Sequence, residues 1–280
     1  MRVCEALNSL VDFLAKKSVE TPKTDAELLL SFVLKCKRLD LFLNYERELS
    51  QNETDLLRRL SIRRGHREPL QYLVGSVDFF GQTLKVDSRV LIPRPETEEL
   101  VYQIQQRLQG RVVQKGLDLG TGSGAIAIAL VALGCCEQMT AVDVSPEALD
   151  LAYDNAVENN LASRIQFVCS SWFEKVNGKF DFIVSNPPYL SEKELQEAQP
   201  EVRIFEPKSA LVASENGLKD LKQILKGATE HLNPSGFVVC ETGLEQHKIL
   251  KEYAFQCGYK RVNSTQDLTH RERYFWAWLN

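Results

Sequence analysis

The sequence is short of the features that mark membrane, secreted and metal-dependent proteins. No stretch approaches the roughly 18 consecutive apolar residues of a transmembrane helix, so none is expected. The opening MRVCEALNSLVDF carries Glu5 and has no long apolar segment with a small-residue cleavage site, which argues against a signal peptide. The seven cysteines are an odd number and include no CxxC pair, so they read as reduced, mainly core residues of a cytoplasmic protein. The adjacent Cys135 and Cys136 leave a redox reading open on spacing alone. Four scattered histidines lack ligand spacing, and no metal is expected. A large excess of positive charge is also missing. The net charge is −4, which speaks against a surface built throughout to hold nucleic acid. Internal repeats and low-complexity segments are absent.

What is present is an ordinary globular composition, 44% hydrophobic and 26% charged, over a length that suits two domains better than one. Residues 1–75 read as a small helical bundle. Val3, Leu7, Leu10, Val11 and Leu14 recur at helical steps, a second helix is expected from a cap at Thr24 or Asp25, and a third from Thr54 or Asp55. Two β-rich runs around Gly81-Gln82 predict a hairpin linker over 76–92. Over 93–280 a helix near Glu96 precedes alternating strands and helices, the pattern of a doubly wound, mostly parallel sheet. The last two strands, YKRVNST and RYFWAWL, have no helix between them and predict an antiparallel pair at one edge.

Chemistry concentrates in two places. The first is Gly120-Thr121-Gly122-Ser123-Gly124, after the strand Leu117-Asp118-Leu119 and before a helix. Its glycines let backbone N–H groups and a helix N-terminus approach a ligand. Asp143, ending the next strand, is placed to accept the hydroxyls of an adenosine ribose. A nicotinamide dinucleotide and S-adenosylmethionine both fit such a loop, and a tight turn in a ligand-free α/β protein is the bland alternative. The second place is DFIVSNPPYL, where an apolar strand stops at Asn186-Pro187-Pro188-Tyr189. The Asn186 side-chain oxygen and the Pro187 carbonyl are two acceptors held by a stiff turn, a clamp for an –NH2 group, with Tyr189 as a flat face beside it. The bland reading here is a strand-ending turn with an incidental asparagine. Arg58, Arg59, Arg63, Arg64 and Arg67 form a basic run, by default a solvated helix face and otherwise a contact surface for an acceptor protein or RNA.

The asparagine turn resembles that of the amino methyltransferases, and the whole chain resembles the HemK/PrmC family of glutamine methyltransferases. The matching segments are EPLQYLVGSVDFFG (68–81), LIPRPETEELV (91–101), LDLGTGSGAIAIAL (117–130), AVDVSPEALDLAYDNA (141–156), SNPPYL (185–190) and EVRIFEPKSALVASENGL (201–218). The resemblance implies a class I Rossmann-like methyltransferase fold, a mixed seven-stranded sheet in the order 3-2-1-4-5-7-6 behind the small helical bundle, and S-adenosylmethionine as donor. It implies that Gly120 to Gly124 hold the methionine end, Asp143 the ribose, and Trp172 the neighbourhood of the adenine. Asn186 would stand between donor and acceptor, Pro187, Pro188 and Tyr189 would shape the acceptor pocket, and Arg94, Pro95 and Glu96 would lie at its mouth. The implied acceptor is the GGQ glutamine of bacterial class I peptide-chain release factors, recognised with the help of the helical domain, with no direct nucleic-acid substrate. Three rivals share parts of this pattern: a ribosomal-protein glutamine methyltransferase, an adenine-N6 methyltransferase, and a non-enzymatic or dehydrogenase-like cofactor-binding module.

Overall fold

The computed structural model describes all 280 residues, in two compact units. The first comprises Met1–Gly75 together with Gln199–Phe205. Its helices are α1 (Val3–Lys16), α2 (Pro22–Leu34), α3 (Gln51–Gly65) and the single-turn α4 (Leu70–Val74), with a 3-10 stretch at Arg38–Asn44. Leu7, Leu10 and Leu14 of α1, Leu29 and Leu30 of α2, and Leu57 and Leu60 of α3 meet in one apolar core. Two helix starts differ from the sequence expectation. Helix α2 begins three or four residues before the expected start because Pro22, with its fixed φ, occupies the first position after the cap Thr21. Asp25 lies inside the helix and takes a hydrogen bond from the Thr21 hydroxyl (2.8 Å). Helix α3 begins at Gln51 after the cap Ser50, which forms a reciprocal capping box with Glu53 and so outcompetes Thr54 and Asp55.

The basic run is not a free cationic face. Arg64 is buried and bonds Asp25 (2.6 Å) and Glu201 (2.8 Å), Arg67 binds both Glu201 oxygens, and Arg63 pairs with Glu68. Burial alone pushes the Glu201 carboxyl up, yet Arg67 and Arg64 hold it below the ordinary carboxylate range. Only Arg58 and Arg59 remain exposed without such partners.

The second unit holds the remaining residues. Its hairpin, β1 (Ser76–Phe79) and β2 (Gln82–Lys85), turns at Phe80-Gly81, so Gln82 opens β2 rather than sharing the turn. The hairpin is part of this unit and not a separate linker, because Phe79 and Leu84 are buried in its core. Asn155, fully buried on α7 (Pro146–Glu158), holds it there: its side chain bonds the backbone N–H and carbonyl of Lys85 and also reaches the Ser123 carbonyl.

Seven strands form one sheet: β3 (Val113–Leu119), β4 (Cys136–Asp143), β5 (Ile165–Cys169), β6 (Phe180–Ser185), β7 (Leu232–Glu241), β8 (Arg261–Gln266) and β9 (Glu272–Trp278). Their spatial order is β5-β4-β3-β6-β7-β9-β8, which is 3-2-1-4-5-7-6 counted within the sheet. Strands β3 to β7 pair with one another in parallel, and β9 runs antiparallel to both β7 and β8. The central strands are apolar on both faces because both are covered. Phe182 and Val184 join the core containing α5 (Pro95–Leu108) and α6 (Ala125–Ala132). Ile183, between them, joins the core containing α9 (Lys219–His231) and α10 (His247–Gln256). Strand order reverses between β3 and β6, which opens a crevice at their carboxyl ends. Cys135 and Cys136 lie buried in this unit, and burial pushes their thiols up to about 11 and about 12, so they offer no thiolate for redox chemistry.

Candidate active site

A cavity of about 280 Å³ occupies that crevice, close to the lower end of the range for ligand pockets. Strands β3, β4 and β6 deliver its chemical groups because each ends there: β3 at the glycine loop, β4 at Asp143, β6 at Asn186. Gly120 and Gly122 both have positive φ, a backbone shape that side chains disfavour, and this turns the loop beneath the cavity. Gly122 N–H donates to Asp143 Oδ2 (2.9 Å) and Ser145 N–H to Oδ1 (3.0 Å). Both carboxylate oxygens are thereby oriented while keeping lone pairs for a further donor.

Trp172 also lines the cavity, with its ring edge against Gly120. It adopts φ +47°, unusual for a bulky residue. Its side chain donates to Asp220, in the first turn of α9, which lines the same cavity. Burial pushes the Asp220 carboxyl up while the Trp172 bond pulls it down.

The structure brings Gly120, Thr121, Gly122, Ser123, Asp143, Trp172, Asn186 and Pro188 to one cavity. It does not bring Gly124, Pro187, Tyr189, Arg94 or Glu96 there. Gly124 instead caps α6 at φ +82°, where a Cβ would press on Ile128 and Ala152. Pro187 is buried. The Tyr189 ring packs against the core on the α9–α10 side, and its hydroxyl donates to Glu241 (3.0 Å). Arg94 pairs with the buried Glu206, whose carboxyl is pushed up by burial against the opposing charge of Arg94. Their chain neighbours Pro93 and Pro207 do line the cavity. The exposed Glu96 side chain stands 3.7 Å from Arg271.

Two residues escaped the sequence reading. Thr97 lines the cavity, and Glu241 ends β7 with 1% exposure. Thr97 accepts from Asn186 Nδ2 (3.0 Å) and donates to Glu241 (2.8 Å). Burial pushes the Glu241 carboxyl up; the Thr97 and Tyr189 hydroxyls and the charge of Arg273 pull it down. The signal was available for Glu241, a carboxylate closing an apolar strand as Asp143 does, but nothing in the sequence pairs it with Thr97.

Residues 5–75 match the PrmC N-terminal domain family, and residues 96–217 match the methyltransferase small domain family. The release factor glutamine methyltransferase of Rhodopirellula baltica is 36% identical over 278 residues, covering 97% of this chain and 94% of that one. The protein of the same name from Salmonella typhimurium is 39% identical, covering 96% and 94%. The chain belongs to the release factor glutamine methyltransferase family. It is therefore an S-adenosylmethionine-dependent methyltransferase, and the cavity fits that donor: the glycine-loop backbone, the α6 N-terminus, the Asp143 carboxylate and the Trp172 ring all line it. Among solved structures, a methyltransferase from Pyrococcus furiosus aligns with a TM-score of 0.55 at 20% identity, covering 83% of this chain and all of that one. The hMettl16 catalytic domain, solved with the MAT2A 3′UTR hairpin 6, aligns at 0.61 and 19% identity, covering 81% and 82%. At these identities the likeness is one of fold.

Proposed function

We propose that this enzyme methylates the side-chain amide N5 of the glutamine in the GGQ motif of peptide-chain release factors. The observation that carries the reading is that Asn186, from the asparagine turn, lines the same cavity as the glycine loop and Asp143. Bound S-adenosylmethionine supplies an electrophilic methyl group on a sulfonium. The glycine loop would hold its methionine end, Asp143 its ribose, and Trp172 would lie near its adenine. Asn186 Oδ1 and the Pro187 carbonyl would take the two hydrogens of the acceptor –NH2, aiming the nitrogen at the methyl group. An amide nitrogen is a poor nucleophile because its lone pair is delocalised, so aim and polarisation matter more than a strong base. Pro188 and the held ring of Tyr189 would shape the acceptor side, and Arg94 with Glu206 would brace its rim.

In the same reading, residues 1–75 are a recognition domain for the release factor, and the enzyme works in the cytoplasm. That compartment agrees with seven unpaired cysteines, and no helix is long and apolar enough to cross a membrane. The test is mass spectrometry of purified release factor after incubation with the enzyme and labelled donor. One added methyl group on the GGQ glutamine is expected; label found only on ribosomal protein or nucleic acid would sink the reading. Asn186→Ala is expected to lower transfer by about a hundredfold or more while largely sparing donor binding. Wild-type turnover in that variant would refute the clamp.

A further inference from the structure

The geometry points to Thr97 and Glu241 as positioning residues that decide which end of the Asn186 amide faces the acceptor. This inference rests on the proposed amide clamp and deepens it. An asparagine side chain is nearly symmetrical in shape, so packing alone does not choose between its oxygen and its –NH2; hydrogen-bond polarity does. A clamp for an –NH2 group needs the oxygen outward. With the amide reversed, two donors would confront each other and the acceptor would be repelled.

The choice is made two residues away. Glu241 serves here as an acceptor: the two hydroxyl bonds it takes and the charge of Arg273 favour its ionised form against the burial that pushes the carboxyl up. It receives a hydroxyl proton at each oxygen, from Thr97 at Oε2 (2.8 Å) and from Tyr189 at Oε1 (3.0 Å). Thr97 has one hydroxyl proton and spends it on Glu241, so it presents only lone pairs to Asn186. The Asn186 –NH2 therefore turns to Thr97 (3.0 Å), and Oδ1 is the end left for the acceptor. The three anchors come from separate elements: Thr97 from the first turn of α5, Glu241 from the end of β7, Asn186 from the turn after β6. Thr97 and Glu241 are almost wholly buried, at 3% and 1% exposure, so water does not compete for these bonds. The same carboxylate holds Tyr189, two residues past Pro187, and so fixes both ends of the asparagine turn.

A buried polar cluster serving stability alone would predict equal damage to folding and catalysis. Polarity predicts something narrower. Thr97→Val keeps shape but loses the hydroxyl, and is expected to lower kcat on release factor about a hundredfold with KM moved by no more than about threefold. Thr97→Ser restores the hydroxyl and is expected to stay within about threefold of wild type. Glu241→Gln brings an –NH2 that can donate to Thr97, releasing the threonine proton towards Asn186 Oδ1; its kcat is expected to fall with that of Thr97→Val. Full kcat in Thr97→Val, or equal loss in Thr97→Ser, overturns the inference. A readout free of turnover is the side-chain NH2 signal of Asn186 in ¹⁵N-labelled enzyme, identified by its loss in Asn186→Ala. That signal is expected to move in Thr97→Val and stay in place in Thr97→Ser; no movement in the valine variant overturns the inference. A wild-type enzyme that methylates no release factor would instead sink the acceptor assignment, while the NMR result would still decide the polarity.

Discussion

Asp118 shows how much one buried carboxyl can govern. It is the penultimate residue of β3 and has no exposure, and burial pushes its carboxyl from the ordinary 3.8 up to about 7, against the pull of the Thr121 hydroxyl (2.7 Å). The folded protein thus holds a proton that the unfolded chain releases near 3.8. Stability from that proton is complete below the unfolded value and is lost as pH rises through about 7. The difference between the protonation states is on the order of 4 kcal/mol as an upper figure. Asp118→Asn removes the titration while keeping an acceptor for Thr121. The cofactor-free variant is therefore expected to match wild type near pH 4 and to exceed its melting temperature increasingly up to about pH 7, with no further gain beyond. Parallel thermal melts across that range check it; a constant offset between the two proteins would refute it. Asp143 and Glu241 each close a strand and Asp118 stands one residue before the end of one, yet the sequence made only Asp143 a candidate, because a known ligand pattern attaches to it. Nothing local distinguishes a carboxylate that meets ligand from one that meets a hydroxyl brought from another element.

At the scale of elements, the segment after the asparagine turn is held by the chain around Gly217. Gly217 sits at φ +81°, and a Cβ there would fall 1.9 Å from the Tyr189 carbonyl oxygen. That carbonyl also accepts from Gln246 (2.9 Å), and Leu190 pairs with Val212 in a one-residue bridge. Gly217→Ala would push the segment away from its partners in addition to straining the backbone. It is expected to cost roughly 2–3 kcal/mol in denaturant unfolding and to lower methyl transfer with it. An unchanged midpoint would show that the loop yields without consequence. Legibility at this scale followed period and length. The strands and helices of the sheet domain were readable because a core covered on both faces writes continuous apolar runs. The order 3-2-1-4-5-7-6 came from resemblance alone, and the sheet bears it out. Short elements, such as α4 and α8 (Glu192–Glu197), left no periodic trace. The starts of α2 and α3 were misplaced although their signals were present, Pro22 after Thr21 and the Ser50–Glu53 box, because two other Thr-Asp pairs offered equally plausible caps.

At the scale of the whole molecule, the helical unit is assembled from two stretches far apart in the chain, and Glu201 joins them. Arg64 is buried between Asp25 and Glu201, so removing Glu201 leaves a guanidinium with half its counter-charge, and Arg67 loses its bidentate partner. No periodicity or motif in residues 1–75 revealed that this unit borrows seven residues from beyond residue 198, since such a dependence exists only once the chain is folded. It has a measurable consequence because all three tryptophans, Trp172, Trp276 and Trp278, belong to the other unit. Tryptophan fluorescence is therefore blind to the helical unit, whereas far-ultraviolet dichroism sees both. Glu201→Ala is expected to destabilise the helical unit by about 2–3 kcal/mol. The dichroism transition should then begin earlier in denaturant while the fluorescence transition holds its midpoint. Coincident shifts of both probes would mean that the two units unfold as one cooperative block, and two unmoved curves would mean that Asp25 alone suffices to keep Arg64 buried.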